Sequence, residues 1–442
     1  MKFVSKTHAS LVLLGTIASS LLPLTGLAQT YSHLPHDQSV IIQPVNHQHI
    51  EAGDGTTAIE NVTIIDGRGG SPLENGTVLV EGSRIRAVGH RDEVNIPNNT
   101  TRIDGTGQVL LPGLIDAHFH LNNKLVLLFL QKGITTLRDP GAWIETYGQV
   151  RASGETIPRL YLTGPHFDMG TPAYPKNSVI IRDPLEADYN VRLFADQGAS
   201  AIKVYFRCSL EIIEQICQTS DQLGIPVTGH LEITDIYNAV NVGIDGLEHI
   251  TSLGTTLIPK REAEAYRQRI LADNGARKMG RYEMWRNIDV EDKPAGALAD
   301  FLAAKRTFVC PTLGAFEYQM DPDKPDTVKY EGFQQMLAYN KVLFDHGVHL
   351  VLGSHSWSPY DKLGGAYHNE MELWQECGIP PMDIIHASTL QNAKFLRVED
   401  QLGSIEPGKI ADLFLIEGDP LQDISAMRNV KKVMLNGKWL NE

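Results

Sequence analysis

Between Gly113 and Phe395 short β-type runs and helical stretches take turns, and that alternation restricts the fold more than any other feature. Strand signals fall in Val109–His120, Gly133–Asp139, Arg159–Gly164, Ala201–Tyr205, Ile225–His230, Gly246–Ile250, Thr307–Leu313 and His349–Gly353. Helical patterns fill the gaps, among them Leu125–Gln131, Glu186–Gly198, Leu210–Leu223 and Phe333–His346. Eight strands alternating with helices predict an α/β architecture with a parallel sheet, closed as a (β/α)8 TIM-type barrel over residues 113–402. Arg261–Ala304 is longer than one crossover needs and reads as a helical insertion, about 261–304, placed to act as a lid.

The two ends follow a different rhythm. Ile59–Ile65, Thr77–Glu81, Ile85–Val88 and Gln108–Leu111 are short strand signals separated by turns such as Asp66-Gly67 and Glu81-Gly82. Ile410–Ile416 and the stretch from Val430 to Trp439, with its Asn436-Gly437 turn, return to the same pattern. A small discontinuous β-sandwich domain, built from residues 57–112 and 403–442, is the expectation. Ahead of it, Lys2 and Lys6 precede the apolar run Leu11–Leu24 and the small residues of Gly26-Leu27-Ala28, so residues 1–28 read as a cleaved signal peptide. A retained membrane anchor is the competing reading, but Gly15, Ser19, Ser20 and Pro23 break the run. A periplasmic or secreted protein follows, with no membrane association after signal cleavage. Residues 29–56, carrying His33, His36, His47 and His49, read as an extended, poorly ordered arm.

The net charge of −14 argues against a nucleic-acid partner. Cys208, Cys217, Cys310 and Cys377 are too scattered for a disulfide framework and read as free thiols. A homo-oligomer is compatible with all of this.

Within Val109–His120, Asp116, His118 and His120 occupy alternate positions. On a strand they share one face, with the two histidine backbones about 6.6 Å apart. Two imidazoles so placed can grip a metal with Zn–N bonds of about 2.0 Å, although a lone strand histidine is as often a structural residue. Further candidates stand at or near the ends of later strands: Lys203, His230 and His249. In such barrels the strand ends converge on one mouth, where the active site lies. A lysine between Ile202 and Val204 is costly in an interior when charged and unpaired. Reaction of its amine with carbon dioxide relieves that cost and gives an anionic carbamate able to bridge two metals.

These stretches resemble the amidohydrolase superfamily. Leu111-Pro112-Gly113-Leu114-Ile115-Asp116-Ala117-His118-Phe119-His120 looks like its first-strand motif, and Ile202-Lys203-Val204-Tyr205 like its carboxylated-lysine strand. Gly246-Leu247-Glu248-His249 and Leu402–Leu413 look like its sixth-strand motif and its link into the small β domain. The pattern is most similar to the imidazolonepropionase-like and Xaa-Pro (Xaa-Arg) dipeptidase branch. The resemblance implies two divalent metal ions, zinc by default. His118 and His120 would hold the more buried ion, His230 and His249 the other, and a CO2-derived carbamate on Lys203 would bridge them. The implied reaction is hydrolysis of a small amide, a dipeptide or N-acyl amino acid, by a metal-activated water.

One position departs from the family. Its last strand ends in an aspartate that handles the water's proton, and here Gly353-Ser354-His355-Ser356 stands in that place. His355 can ligate or act as the base; Asp361 can reach in from the loop; or the site binds metal without efficient hydrolysis. An esterase, lactonase or organophosphate-type hydrolase, or a metal- or solute-binding homologue, are accordingly the alternatives. His166, Tyr205, Arg207 and His368 are candidate substrate contacts, Arg138-Asp139 reads as an ion pair near the mouth, and Asp116 as a hydrogen-bonding support behind a ligand.

Overall fold

Gly113 divides the stretch that the sequence presents as one strand. In the computed structural model, which describes residues 40–440, β5 (Gln108–Pro112) and β6 (Leu114–Asp116) belong to different sheets. A Cβ at position 113 would lie 2.1 Å from Thr135 Oγ1, so only glycine lets the chain pass there. The expected signal peptide, and His33 and His36, lie outside the described residues.

The first sheet combines both ends of the chain. Its strands are β1 (Thr56–Ile64), β2 (Leu73–Glu81), β3 (Arg84–His90), β4 (Thr101–Asp104), β5, β16 (Leu413–Glu417), β17 (Val430–Leu435) and β18 (Lys438–Trp439). They hydrogen-bond in the order β18-β17-β16-β5-β1-β2-β3, with β4 also on β1. The strands from both chain ends form one mixed sheet forked at β1. Asn61 adopts φ 58°, and the register breaks on both sides of Val62. The first half of β1 therefore pairs with β4 and its end with β5. Ile59, Val78, Leu110, Leu413 and Met434 fill the core between them.

Over residues 114–350 the strands pair in parallel. β7 (Ile134–Asp139) lies between β6 and β8 (Arg159–Leu162). A second group runs β10 (Ser178–Ile180), β9 (His166–Asp168), β11 (Ile202–Val204), β12 (Val227–Gly229), β13 (Gly246–Glu248), β14 (Phe308–Cys310) and β15 (His349–Leu350). β9 is a correction, because none of the strand signals in the sequence covers His166–Asp168. Hydrogen bonds join the groups at both borders: Ser200 N donates to Leu162 O at 2.8 Å, and Ala117 N to Leu352 O at 3.0 Å. Several of the helices between strands start on side-chain caps. Asn122 accepts from Lys124 N ahead of α1 (Asn123–Gln131), Asp183 from Glu186 N ahead of α2 (Pro184–Asp196), and Ser209 from Ile212 N ahead of α3 (Leu210–Leu223). α3 then buries Ile212, Ile213, Ile216 and Cys217 and stops at Gly224, φ 74°.

The insertion holds α4 (Lys260–Ala272), α5 (Arg277–Trp285) and α6 (Lys293–Lys305). The described part of the arm is docked, contrary to the expectation of an unpacked segment. Val40 N and Val45 N donate to Leu223 O and Leu160 O, and buried Asn46 bonds Pro158 O and Leu160 N. All four cysteines are free, and among the described residues no helix is long and apolar enough to cross a membrane.

Asp412 locks the small sheet to the strand series. Its carboxylate accepts Arg159 Nε at 2.7 Å, Arg159 Nη2 at 3.1 Å and Asn436 N at 2.6 Å, while its carbonyl accepts Gly113 N at 2.7 Å. Both charged side chains are buried. Asp412→Ala strands the guanidinium, and a loss of about 3–5 kcal/mol, read as a lowered urea midpoint, is expected.

Candidate metal centre

The parallel strands are short, and the chemistry-bearing residues sit at or just past their C-terminal ends. His118 and His120 follow β6 by two and four residues, His230 and His249 follow β12 and β13 directly, and Lys203 lies within β11. They gather round one cavity of about 490 Å3 that is also lined by His166, Tyr205, Arg277, Arg281 and His355. Neighbouring imidazoles are in contact: the ring centroids of His118 and His249, of His230 and His249, and of His120 and His355 are 4.6, 4.5 and 4.5 Å apart.

Each of three rings has one nitrogen engaged by the protein. His118 Nδ1 meets Glu248 Oε2 at 2.6 Å, and His249 Nδ1 meets Thr312 Oγ1 at 2.6 Å. His230 Nε2 meets both Glu232 Oε1, at 3.0 Å, and Arg281 Nη2, at 3.3 Å. A guanidinium can only donate and a carboxylate only accept, so one nitrogen cannot serve both. Glu232 is the shorter contact, so we assign the proton to Nε2, and Nδ1 keeps the lone pair. His230 Nδ1 is buried and has no hydrogen-bond partner among the described residues. Burial pushes the His118 and His230 rings down to about 3 and holds His249 and His355 well below the usual imidazole range. They are therefore neutral at pH 7, the form that ligates metal.

Lys203 is almost fully buried, and its Nζ makes no hydrogen bond among the described residues. Glu248 Oε1 lies 3.5 Å away, an ion-pair distance. Burial lowers the ammonium to about 8, with Arg138 adding to the effect and Glu248 opposing it. An amine of that pKa is partly neutral near pH 7 and can react with carbon dioxide. Burial alone would raise the Glu248 carboxyl, but Lys203, Arg138 and His118 hold it well below the usual carboxylate range. Orphaned His230 Nδ1, neutral rings and an under-coordinated lysine fit a divalent-metal site.

Several sequence expectations change. Arg138 pairs with Glu248 at 2.8 Å rather than with Asp139, whose oxygens accept Leu121 N, Gly141 N and Ala142 N. Arg207 leaves the cavity to lie over Phe206 and bond Ile270 O, and His368 is buried outside the cavity lining. Asp361 pairs with Arg428 at 2.7 Å and so does not reach in. Asp116 supports backbone instead of a ring, accepting His118 N, Ser354 N and Ser354 Oγ. His166 and Tyr205 do line the cavity, their rings stacked 4.7 Å apart. A Cβ on Gly141 would meet His166 Nε2 at 2.4 Å.

Sequence reasoning missed Glu232, Glu248, Thr312, Arg277 and Arg281. Arg281 Nε donates to Glu232 Oε1 at 2.6 Å, and Arg277 Nε lies 3.2 Å from Oε2. Both arginines come from α5 of the insertion. Two signals were available: Glu232 stands two residues after His230, and Glu248 directly before His249.

Behind Thr312, buried Glu370 accepts Leu313 N, Gly314 N and Trp374 Nε1 at 2.7–3.0 Å. Burial raises its carboxyl to about 7 against the pull of those donors. A raised acid contributes stability below its unfolded pKa of 4.5 that is lost as the pH rises through about 7. Relative to Glu370→Gln, the wild type should therefore lose about 2–3 kcal/mol between pH 5 and pH 8 in urea titrations.

Residues 334–440 match the amidohydrolase family. Over 418 residues the chain is 23% identical to a 5-methylthioadenosine/S-adenosylhomocysteine deaminase of Symbiobacterium thermophilum, covering 84% of this chain and 88% of that protein. It is 33% identical over 87 residues to adenine deaminase 2 of Shouchella clausii, where the match spans 18% of this chain and only 15% of that protein. The fold is similar to the crystal structure of a Xaa-Pro dipeptidase with bound methionine in the active site, with TM-score 0.67 and 21% identity over 88% of this chain and 100% of that one. The stretch 334–440 is thus similar to the amidohydrolase family, and over most of its length the chain shares the fold of the dipeptidase structure.

Proposed function

We propose that this chain is an exported, metal-dependent amidohydrolase that cleaves a small amide, a dipeptide or an N-acyl amino acid. The observation that carries the reading is the convergence of His118, His120, Lys203, His230 and His249 on one cavity, with buried ring and amine nitrogens left open toward it. Those five residues would hold two divalent ions, zinc by default, with Lys203 as a bridging carbamate. When bound, such ions lower the pKa of a water and polarise a scissile carbonyl. The strand series closes as a (β/α)8 barrel in this reading, supported by the bonds from Ser200 to Leu162 and from Ala117 to Leu352.

The chain's own residues set the rest. Glu232 and Glu248 fix which ring nitrogen of His230 and His118 is open. Phe316 and Tyr205 wall the cavity, and His166 stands over Gly141, where a polar substrate group can be held. The volume suits a dipeptide-sized ligand. A second reading, deamination of an adenine-type base, is favoured by the names of the curated relatives.

Metal analysis coupled to a substrate panel tests this. About two divalent ions per chain are expected, with turnover on a dipeptide or N-acyl amino acid that chelation abolishes and zinc restores. Ammonia release from adenine derivatives without amide cleavage selects the second reading. A metal content near zero, with Lys203 unmodified by mass, sinks both. Glu232→Gln and Glu248→Gln should each weaken metal binding by about 10–100-fold in competition with a chromophoric chelator.

A further inference from the structure

His355 stands where the family resemblance places a carboxylate, and the structure gives it a role. Its Nε2 lies 3.3 Å from His120 Nε2. Two nitrogens on one tetrahedral zinc, with Zn–N bonds of 2.0–2.1 Å, are about 3.3–3.4 Å apart. One ring nitrogen from each of His118, His120 and His355 lies within 4.8 Å of the others. The His118 and His355 rings are 5.1 Å apart and nearly parallel, whereas His120 stands edge-on to both.

The backbone is distorted to achieve this. His355 and Ser356 both adopt left-handed conformations, φ 53° and 67°, which are unfavourable for side chains of this kind. Hydrogen bonds to the His118–His120 segment hold them there. His355 N donates to His118 O at 2.8 Å, and Ser356 Oγ accepts His120 N at 2.6 Å and donates to His120 O at 3.0 Å. A Cβ on Gly353 would lie 2.6 Å from His118 Cβ, so the two segments touch at that point too. Asp139, the only carboxylate among the described residues that line the cavity, is already held by three backbone N–H groups.

Resting on the reading that this site binds metal, we propose that His355 is a ligand. His118, His120 and His355 then form a complete three-nitrogen site that holds a divalent ion of the zinc, cobalt or copper class without any carboxylate and without Lys203. Three neutral nitrogens leave the ion's double charge uncompensated, a donor set that in zinc enzymes suffices to ionise a water near neutrality. The other use of a 3.3 Å contact between ring nitrogens is an N–H···N hydrogen bond, with His355 as a base and no ligand.

Cobalt(II)-loaded full-length protein separates the two. Lys203→Met removes the bridge at nearly constant volume, and the variant should keep about one cobalt ion per chain with its visible ligand-field absorption. Adding His355→Asn, which tolerates the left-handed backbone but is a poor metal ligand, should weaken cobalt binding at least about tenfold and change that absorption. His355→Asn in the otherwise unaltered chain should change the spectrum in the same sense, so the test does not depend on Lys203→Met folding. Circular dichroism and melting temperature check that each variant is native. Complete loss of cobalt from natively folded Lys203→Met, or a spectrum and affinity indifferent to His355→Asn, overturns the proposal. Amide turnover with a spectrum indifferent to His355→Asn defeats this inference and leaves the hydrolase reading standing. A persistent single ion with no turnover on any substrate does the reverse.

Discussion

Glu248 is the charge on which the interior depends. Its two oxygens reach His118 Nδ1, Arg138 Nη1 and Lys203 Nζ, and Arg138 goes on to Ala117 O and Thr228 Oγ1. One carboxylate thus ties residues carried by β7, β11, β12 and β13 to the segment after β6. Buried charges of this kind persist only when fully paired, because an unpaired one costs several kcal/mol. The pairing is balanced in an informative way. Two cations face one anion, and the surplus positive charge sits on Lys203, the group with the open valence. Converting that ammonium into an anion would reverse the local sign and prepare the cavity for cations.

A second carboxylate repeats the device on the other side. Burial would raise Glu232, but Arg281 and Arg277 keep it ionised, and it in turn fixes the His230 ring. Because both arginines lie on α5, the insertion is more than a cover. It supplies the counter-charge without which Glu232 would be an isolated buried anion, so displacement of α5 would release a ring of the centre as well as open the cavity. Arg277 also packs over Phe206 and donates to Tyr205 Oη at 3.3 Å, which couples the same helix to the cavity wall.

What the sequence revealed follows from the range of the interactions concerned. Alternation of strands and helices is local, and it was legible. So was the arrival of His118, His120, Lys203, His230 and His249 at strand ends, since strand order carries them to one rim. The break at Gly113 was not, because it depends on Thr135 and Asp412, which approach only in the folded chain. Nor was the pairing of Glu248 with His118, 130 residues away. Arg138-Asp139 illustrates the same limit. Adjacent opposite charges look like a pair, yet strand geometry points them apart: Arg138 reaches distant Glu248, and Asp139 takes backbone N–H groups instead. The fork at β1 escaped notice since nothing in Ile59–Ile65 announces a left-handed Asn61.

The donor set narrows the choice of ion. The carboxylates at and around the cavity are committed: Asp139 to the backbone N–H groups of Leu121, Gly141 and Ala142, Glu248 and Glu232 to cations, Asp116 to Ser354 and His118 N, Glu370 to backbone and Trp374, and half-buried Asp361 to Arg428. The uncommitted donors that line the open space are chiefly imidazole and amine nitrogens. Magnesium and calcium require oxygen ligands and near-complete shells of them, whereas imidazole suits zinc, cobalt, nickel and copper. His355, standing where the sequence resemblance implies an aspartate, would push the balance further in that direction, because a nitrogen rather than an oxygen then lies beside the His118–His120 pair. Under this donor set a carbamate on Lys203 would be the sole anionic ligand from the chain, and occupancy of the outer position, beside His230 and His249, would depend on carbon dioxide in a way that the three-histidine position does not.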